Sequence, residues 1–472
     1  MNEDRLIAYV LKECLFQIGT DARLRRGALA FVSGLVLLTA GCSSDATDTA
    51  GNDQTDAACP VVVKETDCDK TLRPIVFVHG LYGSGDNIAN VALLMTSNGY
   101  CASRFYAIDY ESLNSAAQPG TNGELDKFID KVLAETGADK VDLMGHSNGT
   151  INDRNYLLEG GTGPVIPEHA AKVAHYIHLA GGPLSVPKDP PTLCVASKSD
   201  MTAIEFCPAD AAESVVFETQ DHFAVAASDE SFVAIYKFLR GTEPKYKSIQ
   251  CGEKSVTLEG RVESFADNVV PVGHVLEIYE LGADPRERGT PVQTFTIGAD
   301  GVIGPWEAKR GQQYEFKGID PQGNVTGHQY LSPLKRSNRW VRFLTPSTAL
   351  AVVTDSIKTS EGHSAVIARS YKGAFRKDLG DSLKVNGAEA LADEIANAKS
   401  ATVGFFMFDD NLNGASDGGN LAAYSGLPFL RGTDLFMDAS KPAFIELEYN
   451  GTLMKIPNWP SQSQGPNVVI FP

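Results

Sequence analysis

Between residues 72 and 240, short apolar runs alternate with stretches whose apolar positions recur every three or four residues. Ile75–Val78, Phe105–Ile108, Val141–Met144, Tyr176–Leu179, Leu193–Ala196 and Val215–Phe217 read as strands. Leu125, Phe128, Ile129, Val132 and Leu133 follow helical spacing, and Thr121 with Glu124 can cap that helix at its start. Ile151–Leu158 and Phe232–Leu239 predict two further helices. Strand and helix in alternation imply the α/β class, a mostly parallel sheet covered by helices.

Past about residue 250 the texture changes to short alternating runs separated by Gly, Pro, Asn and Asp. Ser255–Val262, Val275–Leu281, Val292–Ile297, Tyr314–Lys317, Trp340–Leu344, Ala401–Phe408 and Phe444–Tyr449 predict a β-rich sandwich or barrel. Ala388–Ala398 reads as the one helix there, and a break near Thr345-Pro346 divides the region. The expected units are 59–250 (α/β), 251–345 and 346–472, the last two being separate or a single body.

The first 58 residues differ again. Arg23, Arg25 and Arg26 precede an apolar run, Ala28–Ala40, too short to span a bilayer comfortably. It ends Leu38-Thr39-Ala40-Gly41-Cys42, which resembles the lipobox of bacterial lipoproteins. That resemblance implies a signal peptide over 1–42, lipidation at Cys42, and export with anchoring to an envelope membrane, the outer one where the cell has two. Residues 43–58, rich in Ser, Asp, Thr, Ala and Gly, read as a flexible tether. Six cysteines remain beyond Cys42, an even number suited to disulfides in an oxidising compartment. Cys59–Cys68 and Cys194–Cys207 close the shortest loops and are the expected pairs.

Charge and composition remove several function classes. The hydrophobic fraction is 43% and the charged fraction 21%, ordinary globular values that exclude wholesale disorder and a polytopic membrane protein. The net charge of −18 repels phosphate backbones, so nucleic acid is not an expected partner.

Candidate chemistry centres on Gly145-His146-Ser147-Asn148-Gly149, a G-x-S-x-G pattern between a predicted strand and helix. Such an elbow presents a serine nucleophile on a sharp turn that tolerates no flanking Cβ. Gly414-Ala415-Ser416-Asp417-Gly418 matches the same pattern but lies in an acidic loop without that context. The loop His79-Gly80-Leu81-Tyr82-Gly83-Ser84-Gly85 follows the first strand. The N–H groups of Leu81 and Asn148 are the expected oxyanion donors. His222, between a strand and the apolar helix 232–239, is where the order Ser…Asp…His places a base. Asp200 is the expected orienting acid, with Asp189 and Asp210 as alternatives. His79, His146, His169, His175 and His178 read as structural; His274, His328 and His363 lie too far along the chain.

These segments resemble the α/β-hydrolase family, specifically bacterial and archaeal lipases and esterases. "VHGLYGSG" is similar to their oxyanion loop, "LMGHSNG" to their elbow, and "VASKSD" and "TQDHFAV" to the stretches carrying acid and base. The layout also resembles two-part archaeal-type lipases with a C-terminal β-rich lipid-binding domain. The resemblance implies hydrolysis of acylglycerol or related esters through an acyl-enzyme on Ser147, with a lipid or ester as substrate partner and no cofactor. A polyester depolymerase, an acyltransferase and a non-catalytic surface-binding protein are the alternative readings. The segment Gly181–Thr192 is short and holds no amphipathic lid helix, so interfacial lipase and simple esterase both stay open. In the β-rich part Asp409, Asn411, Asn413 and Asp417 partly fit the start of a calcium loop, but Asn420 stands where a bidentate Glu is needed. A turn rich in Asx residues is the alternative, and oligomeric state is not readable.

Overall fold

The computed structural model describes residues 59, 61–182, 184–203, 207–347 and 349–472. The signal peptide, Cys42 and the tether lie outside the described residues. Six strands, β1 (Ile75–Val78), β2 (Phe105–Ile108), β3 (Val141–His146), β4 (Val173–Leu179), β5 (Thr192–Ser197) and β6 (Glu213–Phe217), form one parallel sheet in the order 2-1-3-4-5-6. This is the α/β architecture expected from the alternating pattern.

Period-two geometry explains why β1 is wholly apolar. Ile75 and Phe77 point to one face, where they meet helices α1 (Ala89–Ser97) and α4 (Asp229–Arg240). Val76 and Val78 point to the other, beneath α2 (Glu124–Thr136) and α3 (Asn148–Leu157). Because β1 lies between β2 and β3, the strand order reverses there. Crevices for ligands open at the carboxyl ends of strands at such a switch point. The loops that leave β1 and β3 are the two glycine-rich segments singled out above.

The β-rich part contributes three sheets. A three-stranded sheet runs β10 (Val302–Lys309), β7 (Ser255–Ser264), β13 (Asn338–Thr345). A four-stranded sheet runs β16 (Ala388–Glu389), β15 (Leu383–Val385), β19 (Phe444–Tyr449), β20 (Thr452–Pro457). The largest has eight strands. On one side are β18 (Leu430–Asp434), β17 (Gly404–Phe408) and β14 (Val366–Ser370); on the other are β12 (Val325–Leu331), β11 (Tyr314–Ile319), β8 (Val275–Glu280) and β9 (Gln293–Thr296). Between them β21 (Asn467–Phe471) pairs in parallel with both β14 and β12. This sheet therefore draws strands from both sides of Thr345-Pro346.

Three local expectations are corrected. The segment 388–398 is not helical: Ala388–Glu389 returns along β15 through Asn386-Gly387, both at positive φ. Asn-Gly is the preferred pair for a tight hairpin of this kind. The Glu389 carboxylate accepts the N–H of Leu383 and of Leu391, a local pairing that competes with helix. Thr121 does not cap α2; Gly123 stands there at φ 81°, and the Asn122 side chain accepts from the Glu124 N–H instead.

The third correction concerns disulfides. Cys194–Cys207 forms as expected, but Cys59 pairs with Cys251 and Cys68 with Cys101. Backbone pairing decides this. The Val63 N–H donates to the Cys251 carbonyl at 2.8 Å, and the Asp69 N–H to the Gly99 carbonyl at 2.8 Å, so each strand segment carries its cysteine to a distant partner.

The α/β and β-rich parts share buried surface. Trp340 of β13 joins the apolar cluster of α1 and α4 and meets Phe105 edge-on at 5.6 Å. Beside it Arg342 donates to Asp109 at 2.8 Å and faces Glu263 at 3.2 Å, Arg261 reaches Asp109 at 2.9 Å, and Arg369 reaches Asp86 at 3.2 Å. Burial alone would raise the Asp109 carboxyl; Arg342 and Arg261 outweigh it and hold it below the usual carboxylate range.

Candidate active site

Ser147 follows directly on β3 and precedes the first residue of α3. Its backbone sits at φ 53°, ψ −120°, a left-handed setting that a non-glycine residue rarely adopts. The glycines on either side are there for space. A Cβ on Gly149 would stand 2.0 Å from the Val78 carbonyl oxygen, and one on Gly145 would stand 2.2 Å from Asp153 Oδ2. Thus α3 can start only by pressing its first turn against β1. The N–H of Asn148 opens α3 and has no intrahelical acceptor.

The loop after β1 abuts this elbow. A Cβ on Gly80 would meet Ser147 Cβ at 2.9 Å. The Gly80 carbonyl accepts from His79 Nδ1 at 2.8 Å and from the Gly83 N–H at 3.1 Å, turning the chain sharply. The Leu81 N–H has no acceptor among the described residues. Tyr110, at the end of β2, stacks on His79 at 4.3 Å; its hydroxyl donates to the His79 carbonyl and accepts from the amides of Asn148 and Asn152.

His222 and Asp200 come together across the ends of β5 and β6. His222 Nδ1 bonds Asp200 Oδ2 at 2.7 Å, and both side chains are buried. The other Asp200 oxygen accepts the N–H groups of Thr202 and Ala203 at 2.8 and 3.0 Å. Burial works to raise the Asp200 carboxyl, but His222 and these two N–H groups prevail and hold it lowered. An ionised carboxylate at Nδ1 selects the tautomer that leaves Nε2 free to accept a proton. His222 Nε2 has no partner among the described residues. His146 Nε2 donates to the His222 carbonyl at 2.9 Å; burial and the neighbouring His222 push His146 down to about 3, so it stays neutral. Cys194–Cys207 closes the loop that carries Asp200.

The β-rich part completes the surroundings of the base, which sequence reasoning missed. Phe429 lies parallel to the His222 ring at 5.8 Å. The Ala374 N–H donates to Asp221 at 3.2 Å, and Arg376 donates to the Thr219 carbonyl at 2.9 Å. Between the two parts opens a cleft of about 110 Å³ whose apolar wall includes Tyr82, Phe223, Phe265, Phe343, Phe406 and Phe429. Among the described residues the segment between β4 and β5 contains no helix.

Beneath the elbow lies a further group that sequence reasoning did not single out. Asp153 on α3 is fully buried, and neither carboxylate oxygen has a partner among the described residues. Burial pushes its carboxyl well above the ordinary value. The folded state therefore holds a proton that the unfolded chain releases above about pH 4. The sign follows: stability contributed by this group falls as pH rises from there toward the folded value. Asp153→Asn is expected to match the parent's pH trend below pH 4 and to gain on it steadily above, by up to about 1.4 kcal/mol per pH unit. Thermal melts of both proteins from pH 4 to 9 check this; a gap independent of pH would mean the carboxyl is ionised in the fold.

The remaining candidates fall outside this arrangement. Asp189 and Asp210 are exposed, Asp210 facing Lys188 at 3.6 Å. His169, His175 and His178 bond the Tyr156 carbonyl, Asp142 and the Gly182 carbonyl. Ser416 accepts the Phe436 N–H in an exposed loop. In that loop the side-chain oxygens of Asn411 and Asn413 accept the N–H groups of Asn413 and Ala415, two residues on, which is the bonding of Asx turns; Asp417 accepts from the side-chain amides of Asn411 and Asn413, and Asp409 from the N–H groups of Asn413 and Gly414. Among the described residues no group of three or more His, Cys, Asp or Glu gathers as metal ligands.

Known proteins resemble this chain in parts. Residues 72–209 match the family model for class 2 lipases, and residues 254–348 match a lipase C-terminal domain. A further C-terminal domain model matches residues 352–471. A triacylglycerol lipase of Burkholderia plantarii is 35% identical over 106 residues, 21% of this chain and 28% of that lipase. A triacylglycerol lipase of Pseudarthrobacter phenanthrenivorans is 36% identical over 92 residues, 18% of this chain and 28% of the relative. The chain thus spans little more than a quarter of the length of these two relatives. A crystal structure of Aspergillus fumigatus lipase B aligns over 43% of this chain and 60% of its own at 12% identity, with a TM-score of 0.29.

Proposed function

We propose that the protein is a serine hydrolase of carboxylic esters, acting on acyl chains that enter the apolar cleft beside His222. The observation that carries this reading is the buried 2.7 Å pair of Asp200 and His222 beyond the ends of β5 and β6, with His222 Nε2 bonded to none of the described residues, Ser147 included, and Ser147 at the end of β3 in the same sheet. The class 2 lipase model matched over 72–209, a range that holds Ser147 and Asp200, and the partial matches to two triacylglycerol lipases support it.

In this reading His222 Nε2 takes the proton of Ser147 Oγ as the oxygen attacks the ester carbonyl. The N–H groups of Leu81 and Asn148 receive the negative charge on the tetrahedral oxygen. His222 then returns its proton to the departing alcohol. Water, deprotonated by the same imidazole, releases the acid from Ser147. Asp200 keeps the ring oriented and balances its charge while it is an imidazolium.

The cleft supports acyl chains rather than polar substituents, since aromatic side chains form much of its wall. Each methylene moved from water into such a wall is worth about 0.8 kcal/mol, or roughly fourfold in kcat/KM. For the purified protein, kcat/KM on p-nitrophenyl esters is expected to rise with acyl length. Val403 lines the cleft and is partly exposed. Val403→Trp is expected to cut kcat/KM for long chains by about tenfold while changing butyrate little, a loss of about two methylene contacts. A flat profile, unmoved by Val403→Trp, would detach the cleft from substrate binding. Failure of a fluorophosphonate to label Ser147, read by peptide mass spectrometry, would remove the hydrolase reading.

A further inference from the structure

The loop after β7 carries an asparagine into the α/β part. Asn268 stands at φ 51° and is nine-tenths buried. Its side-chain Nδ2 lies 2.9 Å from the Gly83 carbonyl, 2.8 Å from the Tyr110 carbonyl and 3.2 Å from His79 Nε2. Both carbonyls can only accept, so the atom facing them is the amide nitrogen. The Tyr110 N–H, which can only donate, also reaches His79 Nε2, at 3.2 Å. His79 Nε2 is therefore an acceptor and the ring proton sits on Nδ1. That proton goes to the Gly80 carbonyl at 2.8 Å. Burial, the largest influence on His79, pushes its pKa down, which keeps the ring neutral and this tautomer in place.

The last link is peptide planarity. The Gly80–Leu81 bond is not among the cis peptides. In a trans peptide the carbonyl and the next N–H point in opposite directions within one plane. Fixing the Gly80 oxygen from one side fixes the Leu81 N–H on the other. We infer that Asn268, supplied by the β-rich part, is a positioning residue for the oxyanion hole: its two amide hydrogens go to the Gly83 and Tyr110 carbonyls, which holds in place the Gly83 N–H and the Tyr110-bonded His79 ring that together fix the Gly80 oxygen, and through it aims the Leu81 N–H. This rests on the serine-hydrolase reading and extends it. The β-rich part then takes part in turnover of every ester, short ones included.

Two variants test the inference without disturbing the backbone. Asparagine, aspartate and glycine all tolerate positive φ. Asn268→Gly deletes the amide, and Asn268→Asp keeps its shape but presents a carboxylate where the donor stood. The readouts are kcat and KM on p-nitrophenyl butyrate, the affinity of an alkyl boronic acid that forms a tetrahedral adduct on serine, and the melting temperature. Loss of a whole oxyanion donor costs roughly 100- to 1000-fold in kcat, so misaiming one is expected to cost about tenfold or more. KM is expected within about twofold of the parent's, with boronate affinity falling in step with kcat. Should Asn268→Gly not fold, Asn268→Asp is read alone. Parental kcat in Asn268→Asp overturns the inference, because a role in filling space or holding the turn would survive that change. A lowered kcat with unchanged boronate affinity overturns it too. Hydrolysis that persists in Ser147→Ala would instead remove the serine reading, and the inference with it.

Discussion

Ser147→Ala is expected to lower kcat on a soluble short-chain ester by about 10⁴- to 10⁶-fold and to leave KM within a few-fold of the parent's. Alanine carries the same Cβ as serine, so the elbow at φ 53°, ψ −120° meets no new clash. The 2.7 Å Asp200–His222 pair and the two N–H donors are untouched. What disappears is the oxygen that forms the acyl bond. The remaining machinery can polarise the carbonyl but has no serine oxygen to attack it, and water must do so unaided by an acyl-enzyme. Stopped assays with p-nitrophenyl butyrate check this, with fluorophosphonate labelling as the parallel readout. Turnover above a tenth of the parent's would exclude Ser147 as the nucleophile.

The second large effect is on stability. Arg342→Met is expected to destabilise the protein by about 3–5 kcal/mol. Arg342 is buried between the two parts, and its guanidinium fills the space that a side chain at Gly85 would occupy. Removing it leaves Asp109 buried with, among the described residues, Arg261 and the Gly85 N–H as donors; Glu263, whose carboxyl burial pushes up to about 8, keeps Arg261 at 3.9 Å. Breaking one member of a buried ion cluster costs more than the cluster itself contributes, because the partners stay desolvated. Replacing Asp109 by Leu together with Arg342→Met removes both charges and is expected to recover much of the loss. Urea titrations of the two variants measure the difference. Equal destabilisation in both would mean that the guanidinium acts through packing rather than charge.

The α/β half was legible because its signals are local. A strand run, a glycine-flanked serine and an apolar helix mark Ser147 as the candidate nucleophile, and the structure places it on the strand-to-helix turn those signals describe. Chain order then brings in His222, and a strand end brings in Asp200. The β-rich half hides its contribution because its contacts depend on how two regions meet. Nothing near Asn268 or Phe429 in the sequence says that one faces the Gly83 carbonyl and the other the His222 ring. The positive φ of Asn268 had a trace in residue type, since asparagine favours such turns, but many asparagines do. The misread helix at 388–398 had a visible warning. Asn386-Gly387 marks a hairpin, as Asn450-Gly451 does between β19 and β20, and helical spacing of Ala, Leu and Ile overrode it. Cys59 and Cys68 were matched by loop length, whereas the backbone ladders beside them set the true partners.

The place of β21 bears on how such a chain can change over evolutionary time. Residues 467–471 join strands drawn from both segments that two separate family models match. Exchanging either segment for one from another protein would take away half of this sheet and leave β21 or β12 as an unpaired edge. The two β-rich segments are therefore expected to melt in a single calorimetric transition and to be inherited as a pair, so that recombination between them is selected against even where their boundary looks like a natural crossover point.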